Sequence, residues 1–213
     1  MNKCFHIDSQ KPSAEIVNFA ASRLMRGAVI VFPTETVYGL GAVVDKDITT
    51  GAQELFDIKK RPTGIPVPVL VGDKNALDVY GVEIPEYAHK LAQTFWPGPL
   101  TIVVKASAKI PREFTRVEDG TVGLRCPDNE VVHQLIRATG RPLYATSANT
   151  HNTPPPVSVE ELEDTIFEAA DIIIDSGPTA IRVSSTVVLC TGDKPVVLRE
   201  GPLTVAQIEE AIR

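Results

Sequence analysis

Cysteine is scarce in this chain and never clustered. Cys4, Cys126 and Cys190 are widely spaced, odd in number and outside any CxxC. Such a set argues against a disulfide framework and predicts reduced thiols in a cytoplasmic protein. His6, His89, His133 and His151 show no ligand spacing, so no zinc site is expected. Long apolar runs are also missing. Residues 28–32 and 187–190 are strand-sized, far short of the roughly 18–20 residues that a membrane helix needs. The first eleven residues have no apolar core of the signal-peptide kind, and no signal peptide is expected. There is no basic excess either, since the net charge is −6. Neutralising phosphates supplies much of the affinity for nucleic acid, so this balance favours a small anionic ligand over a polynucleotide.

What remains is the composition of an ordinary globular protein: 213 residues, 43% hydrophobic and 23% charged. That length fits one domain around one core, and no repeat, low-complexity tract or dividing linker interrupts it. Helical stripes alternate with short β-branched runs. Pro12-Ser13 opens a helix with Ile16, Val17, Ala20 and Leu24 on one face, and Gly27 is placed to end it. Further helices are expected over 49–58, 86–95 and 130–139, the last ended by Gly140. Ser158 with Glu161 reads as a capping box for a helix to Ala170, and Thr204 with Gln207 caps a short final one. Strands are expected over 28–32, 67–71, 100–105, 121–126, 142–146, 171–174, 186–190 and 196–199. The alternation predicts an α/β domain with a mixed, mostly buried sheet.

Four segments place polar chemistry at strand ends. Residues 33–41 (PTETVYGLG) follow a buried strand and combine threonines, a tyrosine and two glycines. The third glycine of a dinucleotide fingerprint is missing, with Val44 at its position, and no GxxxxGK(S/T) exists, so an ATP site here is not a P-loop. A simple turn is the competing reading. In Lys59-Lys60-Arg61-Pro62, the proline biases Arg61 toward extended backbone. Lys59 and Arg61 would then converge on one anion while Lys60 faces away; a solvated helix C-terminus carries the same residues. Strand alternation sets Thr121, Gly123 and Arg125 on one face. A buried guanidinium there needs an anionic partner, either a ligand or a structural carboxylate. In Ala145-Thr146-Ser147-Ala148-Asn149, Ser147 and Asn149 share a face, for a ligand or for a turn. Ser185-Thr186 and Arg199-Glu200-Gly201-Pro202 extend the set.

Together these segments resemble the YrdC/TsaC family, the threonylcarbamoyl-AMP synthases of tRNA modification. The matching stretches are PTETVYGLG (33–41), KKRP (59–62), WPGPLT (96–101), GLRCP (123–127), ATSAN (145–149), SSTVV (184–188) and LREGP (198–202), in the family's order. The sequence Thr36-Val37-Tyr38-Gly39 places the chain on the synthase side of a sibling group of unknown activity. The resemblance implies a single YrdC-like domain, 1–213, with a twisted mixed sheet and flanking helices around a concave cationic cavity. It implies ATP contacts from Lys59, Arg61, Thr121, Ser147, Asn149 and Arg199, with Lys59 and Arg61 serving catalysis. It implies threonine contacts from Thr36, Arg125 and Ser185, with Arg125 taking the carboxylate in a bidentate pair. Threonine's amine and bicarbonate would give a carbamate that attacks the α-phosphorus of ATP, with Mg²⁺ held by phosphates and water. The product would pass to the tRNA threonylcarbamoyl-transferase machinery, with little or no direct tRNA binding by this chain.

The family usually continues SAN with Ser-Gly, whereas this chain reads Thr150-His151-Asn152-Thr153 before three prolines. Ile65-Pro66-Val67-Pro68 likewise replaces the common Asn-Pro-Leu-Ile. The larger family version carries a further C-terminal domain, for which no room is expected after Arg213. Two other readings stand beside the synthase. One is an RNA-binding module of the same fold, which the acidic charge opposes. The other is a carbamoyl-transfer protein of hydrogenase maturation, which needs zinc-finger cysteines and a length that this chain lacks.

Overall fold

The computed structural model describes residues 3–59, 67–150 and 153–213. Its frame is one continuous mixed sheet of eleven strands. Strands β1 (Cys4–His6), β2 (Ile30–Phe32), β3 (Gly39–Val43), β4 (Val69–Leu70), β5 (Gly81–Val82) and β6 (Leu100–Ala106) come from the first half. The second half adds β7 (Thr121–Arg125), β8 (Leu143–Ser147), β9 (Ile172–Asp175), β10 (Thr186–Leu189) and β11 (Val196–Arg199). Their order across the sheet is β1-β9-β2-β3-β8-β4-β7-β6-β10-β11, with β5 added to β6. The pairs β1/β9, β2/β9, β4/β7 and β6/β10 are parallel. The pairs β2/β3, β3/β8, β4/β8, β6/β7 and β10/β11 are antiparallel.

Alternation along the strands divides the apolar side chains between two faces. Ile30, Phe32, Leu143, Ile172 and Ile174 pack under α1 (Ala14–Leu24) and α5 (Glu130–Thr139). Val31, Leu40, Ile102, Leu124, Tyr144 and Ile173 point the other way. There α2 (Thr50–Ile58), α4 (Glu86–Phe95), α6 (Asp164–Ala169) and α7 (Val205–Ala211) cover them, while α3 (Ala76–Tyr80) leads into β5. Leu24 and Leu135 are fully buried anchors of the α1–α5 layer, and each such burial stabilises by about 1.5–3 kcal/mol. Gly27 and Gly140 end α1 and α5 at φ of +84° and +63°, as the sequence predicted. Asn129 accepts from Val132 N at the start of α5, and the capping box of Thr204 and Gln207 opens α7.

The structure departs from the sequence expectation in three places. No helix runs from Ser158 to Ala170. A 3₁₀ turn, Val159–Glu161, is separated from α6 by Leu162 in extended backbone (φ −66°, ψ 132°), and Ser158 caps nothing. Glu161 instead accepts from Val157 N at 3.0 Å. Residues 39–43 are a central strand, where the polar segment before them hid the pattern. A Cβ at Gly41 would sit 2.3 Å from the Tyr144 carbonyl oxygen and 2.8 Å from the Phe32 ring. The glycine therefore lets the ring lie across the strand, a packing role that explains Gly39-Leu40-Gly41 without a dinucleotide. The short elements β1, α3 and β5 also carry too few residues for a period to show.

Candidate active site

The C-terminal end of β7 carries Arg125, whose residue surface is only 7% exposed. Its Nε donates to the Gly98 carbonyl at 3.3 Å and its Nη2 to Thr36 Oγ1 at 2.9 Å. The turn bearing Gly98 is tied to the same strand end, because Gly98 N donates to Cys126 O at 2.8 Å. Thr36 sits in a hydroxyl relay, with Thr34 Oγ1 and Thr36 Oγ1 2.9 Å apart and Thr34 donating to Val37 O. Arg125 Nη2 also lies 2.7 Å from Glu35 Oε1, a buried ion pair. Distance and direction disagree in that pair. The separation is that of a hydrogen bond, yet neither Glu35 oxygen accepts one from the protein. The contact is therefore coulombic rather than directional. Glu35 is the structural carboxylate left open as a partner for a buried guanidinium, and its place inside PTETVYGLG was its one sequence signal.

Ser185 lies beside this centre, its hydroxyl 2.9 Å from Thr101 Oγ1 on β6. Arg199, at the end of β11, donates from Nη2 and Nε to the Ser185 carbonyl at 2.7 and 3.1 Å. Desolvation by the surrounding atoms and then the Arg125 charge push the pKa of Arg199 down from its ordinary value. The second cause places the two guanidinium groups within electrostatic reach of each other. Tyr38 braces the segment from the opposite side, donating to Gly177 O at 2.7 Å, and burial pushes its pKa up to about 12. Cys126 is no nucleophile: burial first, then nearby carboxylates, push its thiol up to about 12.

Lys59 closes α2 in helical backbone (φ −75°, ψ −8°), so the expected extended run does not begin with it. It is not a solvated helix end either, being 5% exposed. Its ammonium donates to Ser147 O at 2.8 Å, to Asn149 Oδ1 at 2.9 Å and to the Asn149 carbonyl. Ser147 Oγ donates to Asn149 Oδ1 at 2.6 Å, so the SxN pair and Lys59 form one cluster at the end of β8. Arg61, the other half of the KxR pair, and Lys60 lie outside the described residues, as do His151 and Asn152. Thr121 stands apart. It begins β7, four residues before Arg125, and its hydroxyl donates to Asp119 Oδ1 at 2.7 Å.

A cavity of about 110 Å³ is lined by Arg125, Ser147, Ser185 and Arg199 together with Thr34, while Thr36, Lys59 and Asn149 reach it only through their bonds to Arg125 and Ser147. Thr121 is not among its lining residues. A larger cavity of about 550 Å³ lies next to it and shares Thr34. That one contains none of the residues expected to hold ATP or threonine and is bordered by Glu35, Asp128 and Glu130. Carboxylates repel phosphate, so the smaller cavity with its two guanidinium groups is the better site for an anionic ligand.

The loop after Asn149 is held by a device of its own. Glu163 accepts from Thr150 N at 2.9 Å, from Thr150 Oγ1 at 2.6 Å and from the Thr153 hydroxyl. The Thr150 side chain, then Thr153, hold this carboxyl below its usual range. Thr153 O in turn accepts from Asn149 Nδ2. Glu163→Ala is expected to weaken binding of an anionic ligand beside this loop by about 3- to 10-fold, from loss of ~1 kcal/mol of positioning. Titration calorimetry with a nucleotide as the probe would check this, and an unchanged affinity would make the carboxylate a surface tie.

A family model described as telomere recombination, covering the Sua5, YciO and YrdC proteins, matches residues 22–201. The chain belongs to the Sua5/YciO/YrdC family. Six of the seven motif segments lie wholly inside the matched stretch, and the seventh, 198–202, overruns it by one residue. Among family relatives, the threonylcarbamoyl-AMP synthase of Pyrococcus abyssi is 40% identical over 197 residues, 92% of this chain and 57% of that protein. The synthase of Bacillus subtilis is 40% identical over 195 residues, 91% of this chain and 55% of that protein. The crystal structure of P. abyssi Sua5 complexed with L-threonine matches with a TM-score of 0.91 at 37% identity, covering 99% of this chain and 61% of that one. The chain thus spans a little over half the length of these curated relatives.

Proposed function

We propose that this Sua5/YciO/YrdC protein makes threonylcarbamoyl-AMP from L-threonine, bicarbonate and ATP for tRNA modification. The observation that carries the reading is the buried Arg125 guanidinium, set with the Thr36 hydroxyl and Ser185 at a small cavity that continues to Arg199 and Ser147. The likeness to P. abyssi Sua5 complexed with L-threonine supports it. Arg125 takes the amino-acid carboxylate, with Thr36 and Ser185 beside it. Lys59, Ser147 and Asn149 form the nucleotide side together with Arg199, which bridges the two halves. Arg61 belongs to this nucleotide side by its motif. Thr121, assigned to the nucleotide only because it shares a strand face with Arg125, does not line the cavity.

The threonine amine and bicarbonate combine to a carbamate with loss of water. A carbamate oxygen then forms a bond to the α-phosphorus of ATP as the bond to pyrophosphate breaks. No protein nucleophile takes part, which suits a site of hydroxyls and cations. Its contribution is orientation and fixed positive charge where negative charge develops. The nucleotide enters as its magnesium complex. Phosphates and water are the natural ligands of that ion. No described helix is long and apolar enough to cross a membrane. A cytoplasmic location fits three widely spaced cysteines outside any CxxC. The net charge of −6 favours handing the product to a transferase over holding tRNA directly.

Pyrophosphate release from ATP is expected to require both L-threonine and bicarbonate. Omitting each in turn from a coupled assay tests the proposal. Release that continues at the same rate without threonine would sink it.

A further inference from the structure

We propose that Glu35 is the standing counter-ion of Arg125, which stabilises the protein between turnovers at the expense of threonine affinity. The proposal rests on the assignment of Arg125 to the threonine carboxylate. Three observations lead to it. Glu35 is 9% exposed and lies 2.7 Å from Arg125 Nη2, yet neither of its oxygens accepts a hydrogen bond from the protein. The guanidinium is oriented by neutral acceptors instead, the Gly98 carbonyl and the Thr36 hydroxyl. Glu35 lines the neighbouring larger cavity, whereas Arg125 lines the smaller one, so the carboxylate stands behind the guanidinium and not at its ligand side.

Orientation and charge compensation are thus divided between different groups. A buried guanidinium without an opposite charge is strongly unfavourable, because its lost hydration is not replaced. A hydrogen-bonded carboxylate would solve that problem but would also consume the fork that a ligand carboxylate needs. Glu35 supplies the charge without taking up aligned N–H groups. Among the described residues Arg125 Nη1 makes no hydrogen bond, which leaves it for a ligand. The arrangement has a thermodynamic consequence. An arriving carboxylate meets a cation whose charge is already matched, and it must also tolerate Glu35 nearby. Removing the Glu35 charge makes the unliganded protein less stable and the site more attractive to the carboxylate. Arg199, within electrostatic reach of Arg125, offsets part of the excess negative charge once both carboxylates are present.

Glu35→Gln tests this, because the amide keeps the shape and removes the charge. Threonine affinity is measured by calorimetry, and thermal unfolding is followed with and without saturating L-threonine. The expected result is about tenfold tighter threonine binding. Without threonine the unfolding temperature should fall by roughly 5–10 °C, with much of the loss recovered when threonine is present. Glu35→Asp, which withdraws the same charge by one methylene, should shift both quantities in the same direction by less, and it serves if the amide variant does not fold. Weaker threonine binding in either variant would overturn the proposal and make Glu35 an orienting or ammonium-binding group. Unchanged affinity would overturn it too. Absence of threonine binding by the wild-type protein would instead sink the functional assignment itself.

Discussion

Arg125→Lys is expected to raise the Michaelis constant for threonine by roughly 10- to 100-fold, with a several-fold smaller effect on ATP. The guanidinium makes its two neutral hydrogen bonds through different nitrogens, Nε to Gly98 O and Nη2 to Thr36 Oγ1. Its third nitrogen makes no hydrogen bond among the described residues. A lysine ammonium is a single point on a flexible stem and cannot hold the turn, the hydroxyl relay and a ligand carboxylate at once. It does keep a positive charge beside Glu35, so the variant should fold. Arg125→Ala separates the two roles. It strips the Glu35 carboxylate of its partner in a buried setting, where breaking an ion pair typically costs about 3–5 kcal/mol. Thermal unfolding of the two variants should therefore differ by roughly 6–20 °C in a chain of this size, while both bind threonine poorly. Equal kinetic effects of the lysine variant on threonine and ATP would assign Arg125 to the phosphates.

Much of this arrangement was legible in the sequence, and the failures have identifiable causes. The helices α1 and α5 were read correctly because each is long enough for its apolar residues to repeat on one face, with a glycine after the last turn. β3 escaped because its core position alternates with glycines, so Gly39-Leu40-Gly41 carries no β-branched signal. Its strand identity comes from the Phe32 ring and the Tyr144 carbonyl packed against it, which are tertiary facts. The supposed helix from Ser158 failed for a related reason: the capping residues Ser158 and Glu161 were present, but Ser158 caps nothing and Glu161 accepts from Val157 N instead. At the site, alternation along β7 correctly set Gly123 and Arg125 on one face, and a Cβ at Gly123 would meet Thr101, which lines the cavity. The same alternation could not show that Thr121, on that face too, is about 13 Å along the strand from Arg125 and bonded to Asp119. Nor could it reveal Glu35, since only the fold shows that the carboxylate is buried against Arg125.

Lys59→Met is expected to lower kcat/KM for ATP by roughly 100-fold while costing the fold no more than about 1–3 kcal/mol. Methionine keeps most of the apolar stem and removes the ammonium, so the loss reports charge and hydrogen bonding. Of the three acceptors left behind two keep a partner, and the Asn149 carbonyl loses its donor. Asn149 Oδ1 still receives Ser147 Oγ, and the Ser147 carbonyl still receives Asn149 N at 2.9 Å. A buried group that retains one partner avoids most of the desolvation penalty that makes such deletions costly. Catalysis has no comparable substitute. Lys59 is a buried cation bonded to Ser147, which lines the cavity, and the proposed function puts beside it the phosphates that gain negative charge as pyrophosphate departs. A preorganised ammonium at that position stabilises the departing group without reorganising solvent. The Michaelis constant for threonine should move by less than about threefold, because Arg125 and its acceptors do not touch Lys59. Urea unfolding beside substrate-varied kinetics distinguishes the two outcomes. A large fall in stability with equal losses for both substrates would make Lys59 a structural clamp of the β8 end rather than part of the nucleotide site.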